Sequence, residues 1–526
     1  MNINIMEKFR NKSIRMWALG TAMLFGISLA AQESAVSVIR PTEGNLQEYS
    51  PMIFGSFIEH FDTQVYGGIF DPGNPLSDED GFRTDVIEAL KEIKTPIVRW
   101  PGGCFVSTYH WIYGVGADRT PVYDKSWGVE DPNTFGTDEY IKWCRKVGCE
   151  PYICTNAGTG TAEEMSDWVE YCNLSVGRFG RMRMANGYEE PYNVKYWSVG
   201  DENYGYWELG AKTVDEWGPL VREASKYMLS VDKDLKLLAA ARSEKDWTLP
   251  LLKAAGRYLN YISIHGYWNG MAHKHDVAPF IDCMMMTERP EQDIQNAIGI
   301  LDEAGYGGGK IKIAYDEWNL RSWHHPWHGD LRRGFDIEAR KKNDIPSTYT
   351  MADALFSACF LNTCLRHSDI VGMACFAPIV NTRGAIFVHK DGIVRRSTFY
   401  TMKMYANLLQ KNVVPTSLES ARLQKGNAST AVTDAVVTCD DERQHFVYAI
   451  VNKDPEKDID VNLSLSEFGI RAPRFLKATI LSSESVDDYN DIGSEKIVPK
   501  DIKLKVKDSC VSIPAHSLVF VYADKQ

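Results

Sequence analysis

No CxxC pair occurs in the 526 residues, although eleven cysteines do: Cys104, Cys144, Cys149, Cys154, Cys172, Cys283, Cys359, Cys364, Cys375, Cys439 and Cys510. An odd, scattered set in a chain this long excludes a disulfide scaffold and a zinc ribbon, and most of these thiols are expected to be small buried apolar side chains. No GxGxxG turn follows the first strand-like segment, where Phe54-Gly55-Ser56-Phe57-Ile58 stands instead. That absence argues against a doubly wound dinucleotide-binding sheet. Beyond residue 31 no apolar run approaches bilayer-spanning length, so the remainder is expected to be soluble. Positive charge is scarce too: 58 Lys and Arg face 70 Asp and Glu, for a formal net charge of −12. Such a chain repels nucleic acid and anionic membrane, while neutral polymers such as polysaccharides are acceptable partners.

Residues 1–31 read as a secretory leader of bacterial type, removed on export to the periplasm or the medium. Lys8, Arg10, Lys12 and Arg15 precede an apolar run, Met16 to Ala31, that is short for a membrane span and ends Ser28-Leu29-Ala30-Ala31. No cysteine follows it to carry a lipid. The leader holds four bases and one acid, so its loss takes the net charge from −12 to −15.

From residue 51 to 411 one unit repeats: a short apolar strand, a loop rich in Gly, Asn or acid, then an amphipathic helix. The strand candidates are Met52-Ile58, Pro96-Trp100, Pro151-Thr155, Val194-Val199, Leu235-Ala241, Tyr261-His265, Ile311-Tyr315 and Ile370-Phe376. Helix starts are marked by Thr161 with Glu164, by Thr137, and by Thr213 with Glu216, where Pro219 is expected to shift the start; Gly148 marks a stop. Alternation of this kind implies parallel strands with right-handed crossovers, and eight units predict a (β/α)8 TIM barrel within the α/β class. After residue 412 the apolar period becomes two, as in His445-Val451, Ile459-Leu465, Ile502-Val506 and Ser517-Tyr522. Residues 412–526 are therefore expected to form a C-terminal, jelly-roll-like β-sandwich, and residues 32–50 to add a strand to it through Ala35-Ile39.

Barrel chemistry sits at the carboxyl ends of the strands. The predicted strands deliver, in order, Glu59-His60, Arg99-Trp100-Pro101-Gly102-Gly103-Cys104, Asn156, Asp201-Glu202, His265-Gly266-Tyr267-Trp268, Asp316-Glu317-Trp318-Asn319 and Asn381 to one mouth. A single acid after a strand usually caps a helix or faces water. Two glutamates after strands four and seven, beside aromatic residues able to stack on sugar rings, suit glycosidic cleavage, which needs a proton donor and a carboxylate on either side of the scissile bond.

Several segments together resemble the α-L-arabinofuranosidases of glycoside hydrolase family 51, in the large clan of barrel hydrolases. They are Gly55-Ser-Phe-Ile-Glu-His60, Tyr66-Gly-Gly68, Arg99-Trp-Pro-Gly-Gly103, Tyr109-His-Trp111, Trp197-Ser-Val-Gly-Asp-Glu202, Ser263-Ile-His-Gly-Tyr267, Asp316-Glu-Trp-Asn319, Val380-Asn381 and Ser512-Ile-Pro-Ala-His-Ser517. The resemblance implies Glu202 as general acid/base and Glu317 as nucleophile of a retaining, double-displacement reaction. It implies Glu59, Cys104, Asn156 and Tyr267 near the bound furanose, with Arg99 keeping Glu317 ionised; Asp201, Trp268, Trp318 and Asn381 complete the expected contact set. The implied substrate is an arabinose-containing plant polysaccharide, arabinan or arabinoxylan, cut at its ends without a cofactor or metal, and the family's habit implies a homo-oligomer.

Two departures stand out. Asp201 replaces the Asn usual before the acid/base, and an ionised Asp accepts hydrogen bonds but cannot donate them. The Gln common near the end of strand eight has no counterpart around Pro378. These departures keep open another hydrolase of the clan, an endoglucanase or xylosidase, as well as a non-catalytic sugar-binding barrel. The run Trp323, His324, His325, Trp327, His328 lacks flanking acids or cysteines to complete a metal site and is expected to form a sugar-stacking wall or to pack within its loop.

Overall fold

The structure is a computed structural model that describes residues 36–270, 278–322, 336–340, 342 and 344–525. The leader and the aromatic and histidine-rich run Trp323–His328 lie outside the described residues. Among the described residues no helix is long and apolar enough to cross a membrane.

Eight parallel strands close into a barrel. They are β1 (Gly55–Phe57), β2 (Ile97–Trp100), β3 (Glu150–Thr155), β4 (Tyr196–Val199), β5 (Lys236–Ala240), β6 (Tyr261–Gly270), β7 (Lys312–Ser322) and β8 (Val371–Phe376), with β8 pairing back to β1. The expected strands are all present, with two informative differences. Residues Pro51–Phe54 form a 3-10 turn ahead of β1 rather than its first half. β6 and β7 run well past their expected ends, so Glu317 lies inside a strand and not in the loop after it. The long polar ends of β6 and β7 pair with each other from His265–Glu317 to Gly270–Ser322, and these ladder bonds keep extended a stretch that alternates too weakly to read as strand.

The helix signals act as their chemistry dictates. Thr161 accepts from Glu164 N at 3.1 Å and opens the helix Ala162–Asn173, while Gly148 ends Thr137–Val147 in the left-handed conformation, φ +86°. Thr213 and Glu216 form their capping box, but Pro219 does not shift the start: it sits inside the helix Val214–Val231.

Beyond the barrel, two sheets pack around an apolar core that includes Val437, Tyr448, Ile450, Val461 and Val521. Ser37–Pro41 joins the smaller sheet, antiparallel to Thr416–Glu419 and parallel to Ile459–Asn462. The seven-stranded sheet presses its other face on the barrel helix Met351–Arg366, where Asn362 donates to Asp434 at 2.8 Å. Cys104, Cys149 and Cys510 are partly exposed and the other cysteines are buried, all of them unpaired.

One buried ion pair ties the carboxyl end of β7 to that helix. Arg321 donates from Nε to Asp353 Oδ1 at 2.9 Å and from Nη2 to Oδ2 at 3.2 Å, and Asp353 also accepts from Thr350 N as the helix cap. Removing one partner strands a buried charge, so Asp353→Ala is expected to cost about 3–5 kcal/mol, read as a lowered urea midpoint; a midpoint within error of wild type would contradict the assignment.

Candidate active site

Side chains from β1, β3 and β7 and from the turn after β4 converge on Arg99, which is fully buried on β2. Its guanidinium meets Glu317, sits 2.5 Å from Asp201 Oδ1 through Nη2, and reaches Asp316 Oδ2 at 3.5 Å through Nε. Asp316 accepts further bonds from Tyr152 OH and Ser263 Oγ, each at 2.6 Å. Burial pulls these carboxyls upward. For Asp316 the charges of Arg99 and His265 outweigh it and set the pKa at about 2. For Glu317 burial is likewise overcome by His265, Arg99 and the Tyr267 hydroxyl, which donates at 2.6 Å, and the group is held below the ordinary carboxylate range.

β4 delivers Glu202 through a tight reversal. Gly200 has φ +71°, and a Cβ there would lie 2.0 Å from Asn203 Oδ1 and 2.7 Å from the Trp217 ring. Only glycine permits this close approach. Glu202 itself holds φ +39°, a left-handed conformation uncommon for a non-glycine residue and typical of functional sites. Its carboxyl accepts from Trp207 Nε1 at 2.7 Å and lies 2.8 Å from His265 Nδ1.

His265 occupies the space between the two glutamates. The same Nδ1 is 3.6 Å from Glu317 Oε2, and distances of 2.8 and 3.6 Å from one nitrogen cap the separation of those two carboxylate oxygens at 6.4 Å. Burial alone would lower the imidazole pKa, but Glu317, Asp316 and Glu202 together push it well above its usual value. Register shifts between Ser263 and His265 on β6, and between Tyr315 and Trp318 where β7 meets β8, turn these residues toward the axis. Such irregularities re-aim side chains at barrel rims.

Glu59 seats itself on Gly102 and Gly103: a Cβ on Gly102 would come 2.4 Å from Glu59 Cγ. Glu59 accepts from Phe105 N at 3.1 Å and Trp127 Nε1 at 3.0 Å, and burial raises its pKa to about 8. Cys104 borders the same space, with its sulfur within 4.8 Å of carboxylate oxygens of Asp201 and Glu208. Asp201, His265 and Glu317 also bring ligand atoms within 4.8 Å of one another, but Arg99 occupies the position between Asp201 and Glu317 that a cation would take.

Three of the expected contact residues stand elsewhere, and a fourth, Trp268, only borders the site. Trp318 is fully buried and stacked on Phe360, with centroids 3.9 Å apart, because successive residues of a strand face opposite ways and Glu317 takes the inward one. It cannot stack on a sugar. Trp268 packs against Phe356 and Phe360, its indole N–H reaching Asp293 at 3.3 Å, yet it stays partly exposed and lines a pocket with His265, Gly266 and Tyr267. Asn156 spends its oxygen on the amides of Gly158, Thr159 and Gly160 and its nitrogen on Tyr109 O, which makes it a loop brace. Asn381 is used the same way, donating to Thr63 O and accepting from Val388 N. Conversely, His265, Asp316, Tyr152, Trp207 and Glu208 enter the site without having been singled out. His265 and Asp316 were visible at strand ends. Trp207 and Glu208 lie five and six residues beyond Glu202 in an irregular loop, where no period points to them. Among the described residues, Trp207 and Tyr206 on that loop are large exposed aromatics, and Trp207 reaches Glu202.

The comparisons with known proteins agree with this architecture. The family model described as Alpha-L-arabinofuranosidase 1 domain matches residues 89–282, and the one described as Alpha-L-arabinofuranosidase C-terminal domain matches residues 316–517. A probable α-L-arabinofuranosidase C of Aspergillus clavatus is 32% identical over 93% of this chain and 98% of its own length. An enzyme of Acetivibrio thermocellus, named intracellular exo-α-(1→5)-L-arabinofuranosidase, is 32% identical over 87% of this chain and 92% of its own. The crystal structure of the Thermotoga maritima α-L-arabinofuranosidase in complex with arabinose superposes with a TM-score of 0.81, at 30% identity over 93% of this chain and 99% of that one. The family 51 α-L-arabinofuranosidase AbfB of Bifidobacterium longum superposes at 0.84 with 28% identity, over 93% and 99% of the two chains. With its barrel, its glutamates on β4 and β7 and matches along nearly its whole length, this chain belongs to the α-L-arabinofuranosidases of glycoside hydrolase family 51.

Proposed function

We infer that this chain is a retaining, end-acting α-L-arabinofuranosidase that releases terminal arabinofuranosyl groups from arabinan or arabinoxylan. The observation that carries this reading is the 6.4 Å upper bound between a Glu202 and a Glu317 oxygen. Inverting glycosidases separate their carboxyl groups by about 6.5–9.5 Å to admit a water, and retaining ones by about 5–5.5 Å. In this reading Glu317, ionised by Arg99 and His265 and oriented by Tyr267, attacks the anomeric carbon while Glu202 protonates the leaving oxygen. Glu202 then deprotonates the water that hydrolyses the glycosyl-enzyme. The end-acting mode and an α-1,5 linkage are extended from the Acetivibrio thermocellus relative's name, and arabinoxylan from the reading of the sequence.

We further place the barrel at residues 51–411 and the sandwich at 412–526, completed by residues 32–50. Export rests on the basic and apolar character of residues 1–31; protein recovered from the periplasm or medium should begin after Ala31, and an intact leader on cytoplasmic protein would refute it. Assembly into a homo-oligomer is extended from the family and is tested by light scattering.

The reaction assignment is tested with Glu202→Ala and added azide. Azide should restore turnover of nitrophenyl α-L-arabinofuranoside and yield arabinosyl azide of retained configuration; an inverted product or no rescue would overturn the role of Glu202. The wild-type protein should prefer that substrate over nitrophenyl β-xyloside and cellulose, and the reverse order would favour another activity of the clan. Tyr267→Phe removes one hydrogen bond to an ionised Glu317. Such bonds are worth about 1.5–3 kcal/mol, so kcat/KM should fall roughly ten- to hundredfold.

A further inference from the structure

Among the described residues, the floor of the site holds more buried carboxyl groups than buried cations, with Arg242 and Arg383 reaching it only over Tyr204 and Tyr267. Glu59, Asp201, Glu202, Glu208, Asp316 and Glu317 surround Arg99 and His265, with Cys104, Cys154 and Tyr204 also facing Asp201 or Glu208. Buried carboxyls in such excess retain protons, and the groups that do so are those with the fewest donors. Asp316 accepts from two hydroxyls, Glu317 from Tyr267 and Arg99, Glu202 from Trp207 beside His265, and Glu59 from an amide and an indole.

Asp201 and Glu208 are served least. Among the described residues, Asp201 accepts one side-chain bond, from Arg99 to Oδ1, and Glu208 accepts one from Ser107 Oγ to Oε2 at 2.6 Å beside the weak donor of the Cys104 thiol. Glu208 Oε1 is buried with no hydrogen-bond partner among the described residues. The two acids are 2% and 4% exposed and bring oxygens within 4.8 Å of each other, around the Cys104 sulfur. An unpartnered buried carboxylate oxygen is costly, whereas a carboxylic acid can turn an O–H toward a neighbour.

We propose that Asp201 and Glu208 form an acid pair that keeps a proton through neutral pH and donates it as a hydrogen bond to a hydroxyl of the bound furanose, so that Glu208 is a further substrate-positioning residue. The proposal rests on the arabinofuranosidase reading for the identity of the sugar. It explains how a chain with Asp in place of an amide still presents a donor beside the acid/base. Burial, then the charge of Glu317, pushes Asp201 well above the usual carboxylate range. Glu208 is pushed up to about 7 by burial, against bonds from Cys104 and Ser107 and with the charges of Glu202 and Glu317. A raised pKa keeps the proton at low pH and releases it as pH rises through the shifted value. The donor is therefore lost on the alkaline side.

The experiment is the pH dependence of kcat and KM on nitrophenyl α-L-arabinofuranoside for wild type, Asp201→Asn and Glu208→Gln, with pH-difference infrared spectra of the same unliganded proteins. The amide variants donate at every pH. In wild type KM should climb above neutral pH, and each variant should move that climb upward by about one pH unit or more while its acid limb stays put. The carboxylic C=O band that titrates near neutral pH in wild type should weaken in both variants. If all three proteins share one alkaline rise in KM and one C=O titration, the acid pair is refuted while the enzyme reading stands. If wild type does not cleave the arabinofuranoside, the reading fails and the infrared titration alone decides the pair. Should one variant not fold, the wild-type titration and the other variant remain decisive.

Discussion

The Arg99 guanidinium, with no exposure to water, is the constraint on which the rest of the site depends. A buried cation is tolerated only when paired and hydrogen-bonded, and Arg99 is paired three times, with Asp201 from the β4 turn and with Asp316 and Glu317 from β7. Its flat faces lie over Phe57 and Tyr152, with Cζ 5.2 and 6.0 Å from the ring centroids, so the fork can neither rotate nor withdraw. A lysine would supply the charge but not the fixed planar geometry. One side chain thereby links the β4 turn to β7 at the level of Glu202 and Glu317, and it does so from β2, three strands away from β7 around the barrel.

Around that anchor, each carboxyl takes its character from its donors rather than from its residue type. Asp316 and Asp201 touch the same guanidinium, yet Asp316 collects two hydroxyl donors and has a pKa of about 2, while Asp201 collects none beyond Arg99 among the described residues and is pushed upward. Glu317 and Glu59 diverge likewise: one faces Arg99, His265 and Tyr267, the other a backbone amide and an indole in a glycine-lined seat. Divergent environments for equivalent groups are how one pocket holds an ionised carboxylate and a carboxylic acid together.

The alternation of strand and helix made the barrel legible from the chain, because each buried parallel strand is a short apolar run bracketed by capping and turn residues. Glu202 and Glu317 were legible through the same pattern. Trp318 was not, since its neighbour's inward aim dictates its own outward one, and the register shifts beside it reset which residue that is. Asn156 and Asn381 were misplaced for a related reason: an Asn after a strand reads equally as a sugar contact or as a turn brace, and only the partners of its amide decide. His265 was written at a strand end, but its bridging position depends on β6 and β7 continuing side by side beyond their apolar segments. That continuation is a property of the pair of strands and of neither alone.

Glu208 marks where local reading ends. It belongs to an irregular loop, six residues past Glu202, and its neighbours Tyr206 and Trp207 are exposed. The loop returns because Gly210 comes to rest against Gly158, where a Cβ would meet the Gly158 oxygen at 2.4 Å, and because Lys212 Nζ donates to that same oxygen at 3.1 Å. This closure drives Glu208 inward onto Ser107 and Cys104 while leaving Trp207 outside, on Glu202. A single loop thus supplies Glu202, the indole that holds it and a second, buried carboxyl, Glu208. The substitution of Asp201 for an amide is therefore not an isolated change: its consequence depends on a second carboxyl that the same loop places within reach of it.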